Sequence, residues 1–290
     1  MFRLWPLRAE PIVIKQALNR LKVQKEWLAD PARAHHEALI LALLYLFLGS
    51  KHVPMLLLED TEHHIIAMTS APEEATNWKH DMLTRRVFDR GVARKCGELL
   101  GKIQSFPIDA SMPQDLHDKS FFHQLRVDAY ILHLVPQFPA LSETLTELAA
   151  DLMAAKSCIT HADFTPKNIL VGPQGPIILD YEVAHYGHPA FDPASIVNHL
   201  YLKSRALPEH SAELMQLAED FLEGYLSVVP GAALPPKFWT VLGALALARI
   251  HGKSPVEYLT DAHTKASVTR AGIALIEGQI QSAGQLWQRA

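Results

Sequence analysis

Cysteine is nearly absent from this chain. Its 290 residues hold only Cys96 and Cys158, far apart and outside any C-x-x-C spacing. Neither a disulfide framework nor a zinc ribbon is therefore indicated, and a reducing cytoplasm fits best. A surplus of positive charge is also missing. Lys and Arg number 27 against 31 Asp and Glu, and the resulting net charge of −4 offers no basic field for DNA or RNA phosphates. Long apolar runs are lacking too: Ala38 to Leu48 and Val241 to Ala248 fall short of the roughly 18 consecutive apolar residues a membrane span needs, and read as buried helices. The first residues, MFRLWPLRAEP, are interrupted by Arg3, Pro6, Arg8 and Glu10, which breaks the apolar core of a secretory signal. No G-x-S-x-G elbow and no G-x-G-x-x-G after a strand occurs. His251-Gly252-Lys253-Ser254 imitates the end of a P-loop, but the position that needs the first glycine is Leu247. The pairs His35 with His36, His63 with His64 and His185 with His188 lack the remaining ligands of a zinc site.

What is present is an ordinary globular composition, 49% hydrophobic and 20% charged, long enough for one large domain or two smaller ones. Phe2 to Leu7 and Pro11 to Lys15 are bulky, β-prone runs across a polar turn at Arg8 to Glu10, the pattern of a hairpin. Asp30 and Pro31 open a helix that runs through Ala38 to Leu48 and stops at Gly49. Pro54 to Leu58 and His64 to Met68 are two further strands joined by the charged turn Glu59 to His63. Thr69 to Ala75, with Pro72 and two acidic residues, ends the apolar pattern and reads as a linker. Beyond it helical periodicity covers Val92 to Gln104, Leu141 to Ala155, Ala190 to Lys203, Ser211 to Leu226, Phe238 to His251 and Thr264 to Ala290. One exception is a short hairpin, Ile169 to Val171 with Pro176 to Leu179, across Gly172 to Gly175.

That hairpin lies between two acidic stretches, His161-Ala162-Asp163-Phe164-Thr165-Pro166-Lys167-Asn168 before it and Asp180-Tyr181-Glu182 after it. A His, any residue, Asp, four residues, Asn, followed by a second Asp past a short hairpin, is the spacing of a kinase catalytic loop. The loop has to aim Asp163 at an acceptor hydroxyl and turn Asn168 back toward a magnesium ion. The hairpin then returns Asp180 to the same ion. In such a site Asp163 orients the hydroxyl and accepts its proton, while Asn168 and Asp180 hold Mg²⁺ against the nucleotide phosphates.

At these residues the chain resembles the aminoglycoside phosphotransferase and choline kinase group of the protein-kinase-like superfamily, with some likeness to methylthioribose kinases. HADFTPKNIL is similar to the family's His-Gly-Asp-x-x-x-x-Asn loop, with Ala162 in place of the glycine, and YEVAHYGHPAFDPA is similar to the segment that follows its metal-binding Asp, where the family has Asp-x-Asp or Asp-x-Glu, here Asp180 with Glu182 in support. The resemblance implies a two-lobed α+β kinase-like fold, with a small β-rich lobe over residues 1–71 and a large, mainly helical lobe over 72–290. It implies ATP and Mg²⁺, and transfer of the γ-phosphoryl group to a hydroxyl on a small molecule, with neither nucleic acid nor membrane as partner. It makes Lys15 the strand lysine that contacts phosphates, Glu37 its helix partner, Thr69 to Ala71 the hinge that grips adenine, and Asp192 a support of the catalytic loop together with His161. His185, Tyr186 and Arg249, with Lys253, are placed toward the acceptor; Trp78, Lys79 and Arg126 are further candidates for the cleft. One departure stands out. The family begins with a strand, a glycine-containing turn and a second strand over the phosphates, whereas this chain starts at what looks like the second strand and has no glycine before Gly49. A catalytically impaired, pseudokinase-type binder of nucleotide or metabolite is therefore the alternative. A protein kinase proper is disfavoured, since Pro189 and Asp192 follow Asp180 too closely for a long activation loop.

Overall fold

A computed structural model describes residues 1–5, 10–19, 29–109 and 112–288. The β-branched run at Ile12 forms β2 (Ile12–Gln16), which pairs antiparallel with β1 (Phe2–Leu4), Phe2 facing Ile14. The polar turn expected between them falls largely on residues 6–9, outside the described residues. α1 (Arg33–Leu48) follows, and Asp30 accepts a hydrogen bond from the Ala32 backbone N–H at its entrance (2.8 Å). β3 (Leu56–Asp60) and β4 (Ile65–Thr69) complete a sheet of order β1-β2-β4-β3, with Lys15 opposite Ile66. Both strands start one or two residues later than the sequence suggests, β4 because His64 before it takes a positive φ of 53°.

After β4 the chain leaves this sheet through 70–75 and enters β5 (Thr76–Asn77), which pairs with β7 (Ile169–Gly172), the first strand of a hairpin with β8 (Gly175–Ile178). Short helix α2 (Trp78–His80) leads to α3 (Arg90–Gln104), capped by Asp89 through its bond from the Val92 N–H (3.0 Å). Next come α4 (Ser120–Phe122), a π-helical stretch His123–Ile131, and α5 (Ser142–Ala154). β6 (Cys158–Thr160) pairs with β9 (His185–Gly187), Thr160 facing His185. The rest is helical: α6 (Phe191–Ala206), α7 (Ser211–Leu226), α8 (Phe238–His251), α9 (Ala262–Ile276) and α10 (Ala283–Gln288).

The chain is thus a mixed α/β fold, sheet-rich at its N-terminal end and helical beyond. α6 and α8 are buried on nearly every side, so α8's apolar run is core, as its lack of a polar face demands. α3 and α7 meet backbone to backbone. A Cβ on Gly97 would stand 2.0 Å from the Phe221 carbonyl oxygen, and one on Gly224 would stand 2.2 Å from that of Arg94. The single helix expected over Thr264 to Ala290 is instead two. Gly278 takes a φ of 73°, its N–H bonds the Leu275 carbonyl, and the Gln279 N–H bonds that of Ala274. This paired C-terminal cap closes α9 at Ile276. No described helix is long and apolar enough to cross a membrane.

Candidate active site

Between β6 and β7 the chain makes a tight loop, buried from Thr160 to Pro166, and its conformation is held from behind by Asp192 at the start of α6. One carboxylate oxygen accepts from the His161 backbone N–H (2.6 Å) and the other from that of Ala162 (2.8 Å). Ala162 sits at φ 61°, a left-handed conformation that costs an L-residue about 1–2 kcal/mol, and the two clamped N–H groups stabilise it there. His161 turns back into the loop: Nε2 lies 3.2 Å from the Leu179 carbonyl oxygen and Nδ1 accepts from the Asp163 N–H (3.2 Å). That pairing requires the neutral ring protonated on Nε2, and burial pushes its pKa down to about 4.

Asp163, 6% exposed, is gripped by three donors. Arg126 Nη2 lies 3.1 Å from Oδ1, while Lys167 Nζ and Asn168 Nδ2 reach Oδ2 at 2.8 and 2.7 Å. Burial favours the neutral acid, but the charges of Arg126 and Lys167 outweigh it and hold the carboxyl well below its ordinary range. Arg126 also donates through Nε to the Ala162 carbonyl (2.7 Å), so one guanidinium fixes both the carboxylate and the strained peptide before it.

A second cluster forms where β2, α1 and the chain after β8 converge. Lys15 Nζ lies 2.6 Å from Glu37 Oε2, 2.5 Å from Asp180 Oδ1 and 3.5 Å from Glu182 Oε2. Arg33, 4% exposed, donates to Glu182 (3.2 Å) and to the carbonyls of Leu18, Ala29 and Asp30. Burial works against charge on Lys15, yet the carboxylates raise its pKa well above the ordinary lysine value. Glu37 is pushed up, by burial first and then by Asp180 and Glu182. Oxygens of Glu37, Asp180 and Glu182 lie within 4.8 Å of one another, and three carboxylates face only two cations. A divalent ion fits this excess of negative charge and hard oxygen donors. Asn168, whose amide nitrogen is committed to Asp163, has its carbonyl oxygen left for such an ion.

Two cavities flank these clusters. The larger, about 660 Å³, has apolar walls from Val13, Met68, Leu170 and Leu179, an edge at Thr69 to Pro72, and Lys15, Glu37, Asn168 and Asp180 at its polar end. The smaller, about 330 Å³, is lined by Asp163, Arg126, Tyr130, Asn198 and Arg249. Lys167, Asp180 and Glu182 border both. The model of the phosphotransferase enzyme family matches residues 22–235, well over half of the chain. The chain belongs to the phosphotransferase enzyme family. No curated protein matches its sequence. Among solved structures, amicoumacin kinase hAmiN in complex with AMP-PNP, Ca²⁺ and Ami is similar at 13% identity and a TM-score of 0.58, over 98% of this chain and 88% of that one. Choline kinase LicA from Streptococcus pneumoniae is similar at 14% identity and a TM-score of 0.51, over 99% and 85%. Both share the kinase-like fold.

In this phosphotransferase the structure brings Asp163, Asn168, Asp180 and Glu182 together with Lys15 and Glu37, places Thr69 and Ala71 on the larger cavity, and sets His161 and Asp192 behind the loop. Arg249 and Lys79 line the smaller cavity. Two residues placed toward the acceptor are not on it. His185 is 1% exposed, with its ring 4.2 Å from that of Phe122 and Nδ1 3.0 Å from the Val183 carbonyl. Tyr186 packs against His117. Pairing of β9 with β6 carries both away from the cleft. Lys253 instead pairs with Asp128 (2.7 Å), and buried Trp78 lines neither of these cavities. Lys167 and Arg33 were missed. Lys167 had a signal, standing inside the catalytic motif four residues after Asp163; Arg33 had none beyond its place in the first turn of α1.

Proposed function

We propose that this protein is an ATP-dependent kinase of a small hydroxylated molecule. The observation that carries this reading is the placement of Asp163 on the smaller cavity, with Lys167 and Asp180 forming the boundary it shares with the larger one. Residues 1–71 would act as the nucleotide lobe and 72–290 as the lobe of catalysis and acceptor binding. Adenine would lie between the apolar walls against Thr69 and Ala71, with Lys15 held by Glu37 against the phosphates. Asp180 and Asn168, with Glu182 beside them, would hold Mg²⁺, which when bound neutralises phosphate charge. Asp163 would accept a hydrogen bond from the acceptor hydroxyl and then its proton. The hydroxyl oxygen bonds to the γ-phosphorus as the bond to the bridging oxygen breaks, and ADP leaves. A carboxylate held so far below its usual range is a weak base, so Asp163 orients the hydroxyl more than it strips it, as a loose phosphoryl-transfer transition state requires. Lys167 is placed to follow the charge that develops on the transferring group. Both cysteines are free and buried, which suits a reducing cytoplasm.

One observation favours the alternative of nucleotide binding without turnover: all three donors to Asp163 come from the protein itself, so an acceptor must displace or share one. A coupled assay of ADP release over a panel of hydroxylated acceptors separates the two. Turnover should fall by about 10²–10⁴ in Asp163→Asn while stabilisation by Mg·ATP persists. An Asp163→Asn enzyme as fast as wild type would overturn the assignment.

A further inference from the structure

The charges around the smaller cavity do not cancel evenly. At the end shared with the larger cavity, Arg126 and Lys167 are matched by Asp163, and Lys15 and Arg33 by Asp180, Glu182 and Glu37. At the mouth, Lys79 is paired with Glu257. Arg249, in the last turn of α8, has no carboxylate within ion-pair distance among the described residues. Its Nη1 donates only to neutral oxygens, the Tyr130 hydroxyl (3.1 Å) and Ser254 Oγ (3.4 Å), and its buried Nε donates to nothing. Facing the same cavity, Asn198 is 1% exposed and its side-chain oxygen has no partner. A buried acceptor without a partner, on the same cavity as a guanidinium that no described carboxylate pairs, is costly unless a ligand satisfies both.

The neighbours register the Arg249 charge, which no described carboxylate pairs directly although Glu257 on the same cavity senses it too. Burial would raise the Tyr130 phenol, whose ring lies 5.6 Å from the Arg126 guanidinium and 5.8 Å from that of Arg249, yet the two arginines bring it below its ordinary value. Lys203, 1% exposed behind this wall, is brought down to about 7 by burial and by Lys79 and Arg249. Tyr130 and Lys203 thus both sense a positive field at the end of the cavity that Arg249 occupies.

Resting on the kinase reading above, we propose that the acceptor is anionic: a small hydroxylated molecule whose carboxylate or phosphate ester pairs with Arg249, while one of its hydroxyls donates to Asn198 and another meets Asp163. A cavity of about 330 Å³ is at the small end for ligand sites, which favours a short hydroxy acid, sugar acid or phosphorylated polyol over a large cationic acceptor.

Calorimetric titration of the full chain with charge-matched probes tests this: D-glycerate and glycerol 3-phosphate against glycerol, D-gluconate against D-glucose, and choline as a cation. At least one anion should bind about tenfold or more tightly than its neutral counterpart, as expected for one charge-assisted contact, and choline should not bind. The carboxylate and phosphate arms show which anion is preferred. Arg249→Gln should abolish the preference and Arg249→Lys should retain part of it. Both variants should keep wild-type stabilisation by Mg·ATP, which shows that they are folded. The proposal is overturned if no anion binds, if glycerol, glucose or choline binds wild type as tightly as the anions, or if the preference survives in Arg249→Gln. Loss of Mg·ATP stabilisation in wild type beside an intact anion preference would count against the kinase reading and support the anion site.

Discussion

Arg126 and Asp163 form a buried ion pair at the heart of the site, and a double-mutant cycle between them has a calculable outcome. Both side chains are 9% exposed. Arg126→Met keeps most of the packed stem but removes the 3.1 Å contact to Asp163 and the 2.7 Å bond to the Ala162 carbonyl. Asp163 keeps Asn168 and the half-exposed Lys167. Breaking a buried pair from one side typically costs about 3–5 kcal/mol, so Arg126→Met should destabilise by that order. Asp163→Asn should cost less than this but still strand the guanidinium. Removing both charges leaves neither stranded, and the double variant should be more stable than the sum of single effects allows by about 2–3 kcal/mol. Urea unfolding at constant m-value measures each corner.

The pH dependence follows with a definite sign. In wild type the folded-state pKa of Asp163 is depressed. Its stabilising contribution is therefore present above the unfolded value near 3.8 and lost as pH falls through the lower folded value. In Arg126→Met burial is opposed by Lys167 and the Asn168 amide without the guanidinium, the pKa rises, and acid loss of stability and of kcat should begin at higher pH. Additivity of the single variants within about 0.5 kcal/mol, with an unmoved acid limb, would refute this account of the loop.

Two further substitutions probe what sits behind the site. Ala162→Gly should leave stability unchanged or raise it by up to about 1 kcal/mol, because φ is 61° there, whereas an ordinary Ala→Gly change loses about that much; thermal unfolding decides the sign. Lys203 is held down near 7 by burial, Lys79 and Arg249. The unfolded chain then binds more protons than the folded one between about pH 7 and 10.5, and stability should rise with pH across that window. Lys203→Met should remove that rise and stabilise the protein at pH 7 by as much as several kcal/mol, unless the ammonium's contacts with the His199 carbonyl and the Tyr258 ring matter more than its desolvation.

The core of the site was legible because chemistry sets its spacing. In the proposed site Asp163, Asn168 and Asp180 would meet one ion and one hydroxyl, and a loop followed by a two-strand hairpin brings them together with few residues between. Helices such as Ser211–Leu226 and Phe238–His251 were readable from their helical periodicity. Lys15 and Glu37 were visible only through likeness to a family, since a lysine in a strand and a glutamate in a helix carry no signal of their pairing 22 residues apart. The grip on Asp163 was harder to see. Arg126 lies 36 residues before Ala162, whose carbonyl it holds, and nothing in FFHQLRVDAY distinguishes a buried guanidinium from a surface one. Closeness in sequence misled in the other direction: His185 and Tyr186 follow Asp180 by only a few residues, but β9 turns them into the packing against Phe122 and His117. The break after Ile276 was readable in principle from Gly278, and the helical periodicity running past it hid the cap.

The central claim is that Asp180, with Lys15, Glu37, Asn168 and Glu182, forms a metal-dependent nucleotide site. Thermal stability of wild type and Asp180→Ala, measured with ATP in the presence and absence of Mg²⁺, tests it most directly. At 100 times its Kd a ligand should add about 2.7 kcal/mol to the stability of the folded state. Wild type should gain stability from ATP only when Mg²⁺ is present, and Asp180→Ala should lose that gain. Equal responses of the two proteins to Mg·ATP would contradict the account.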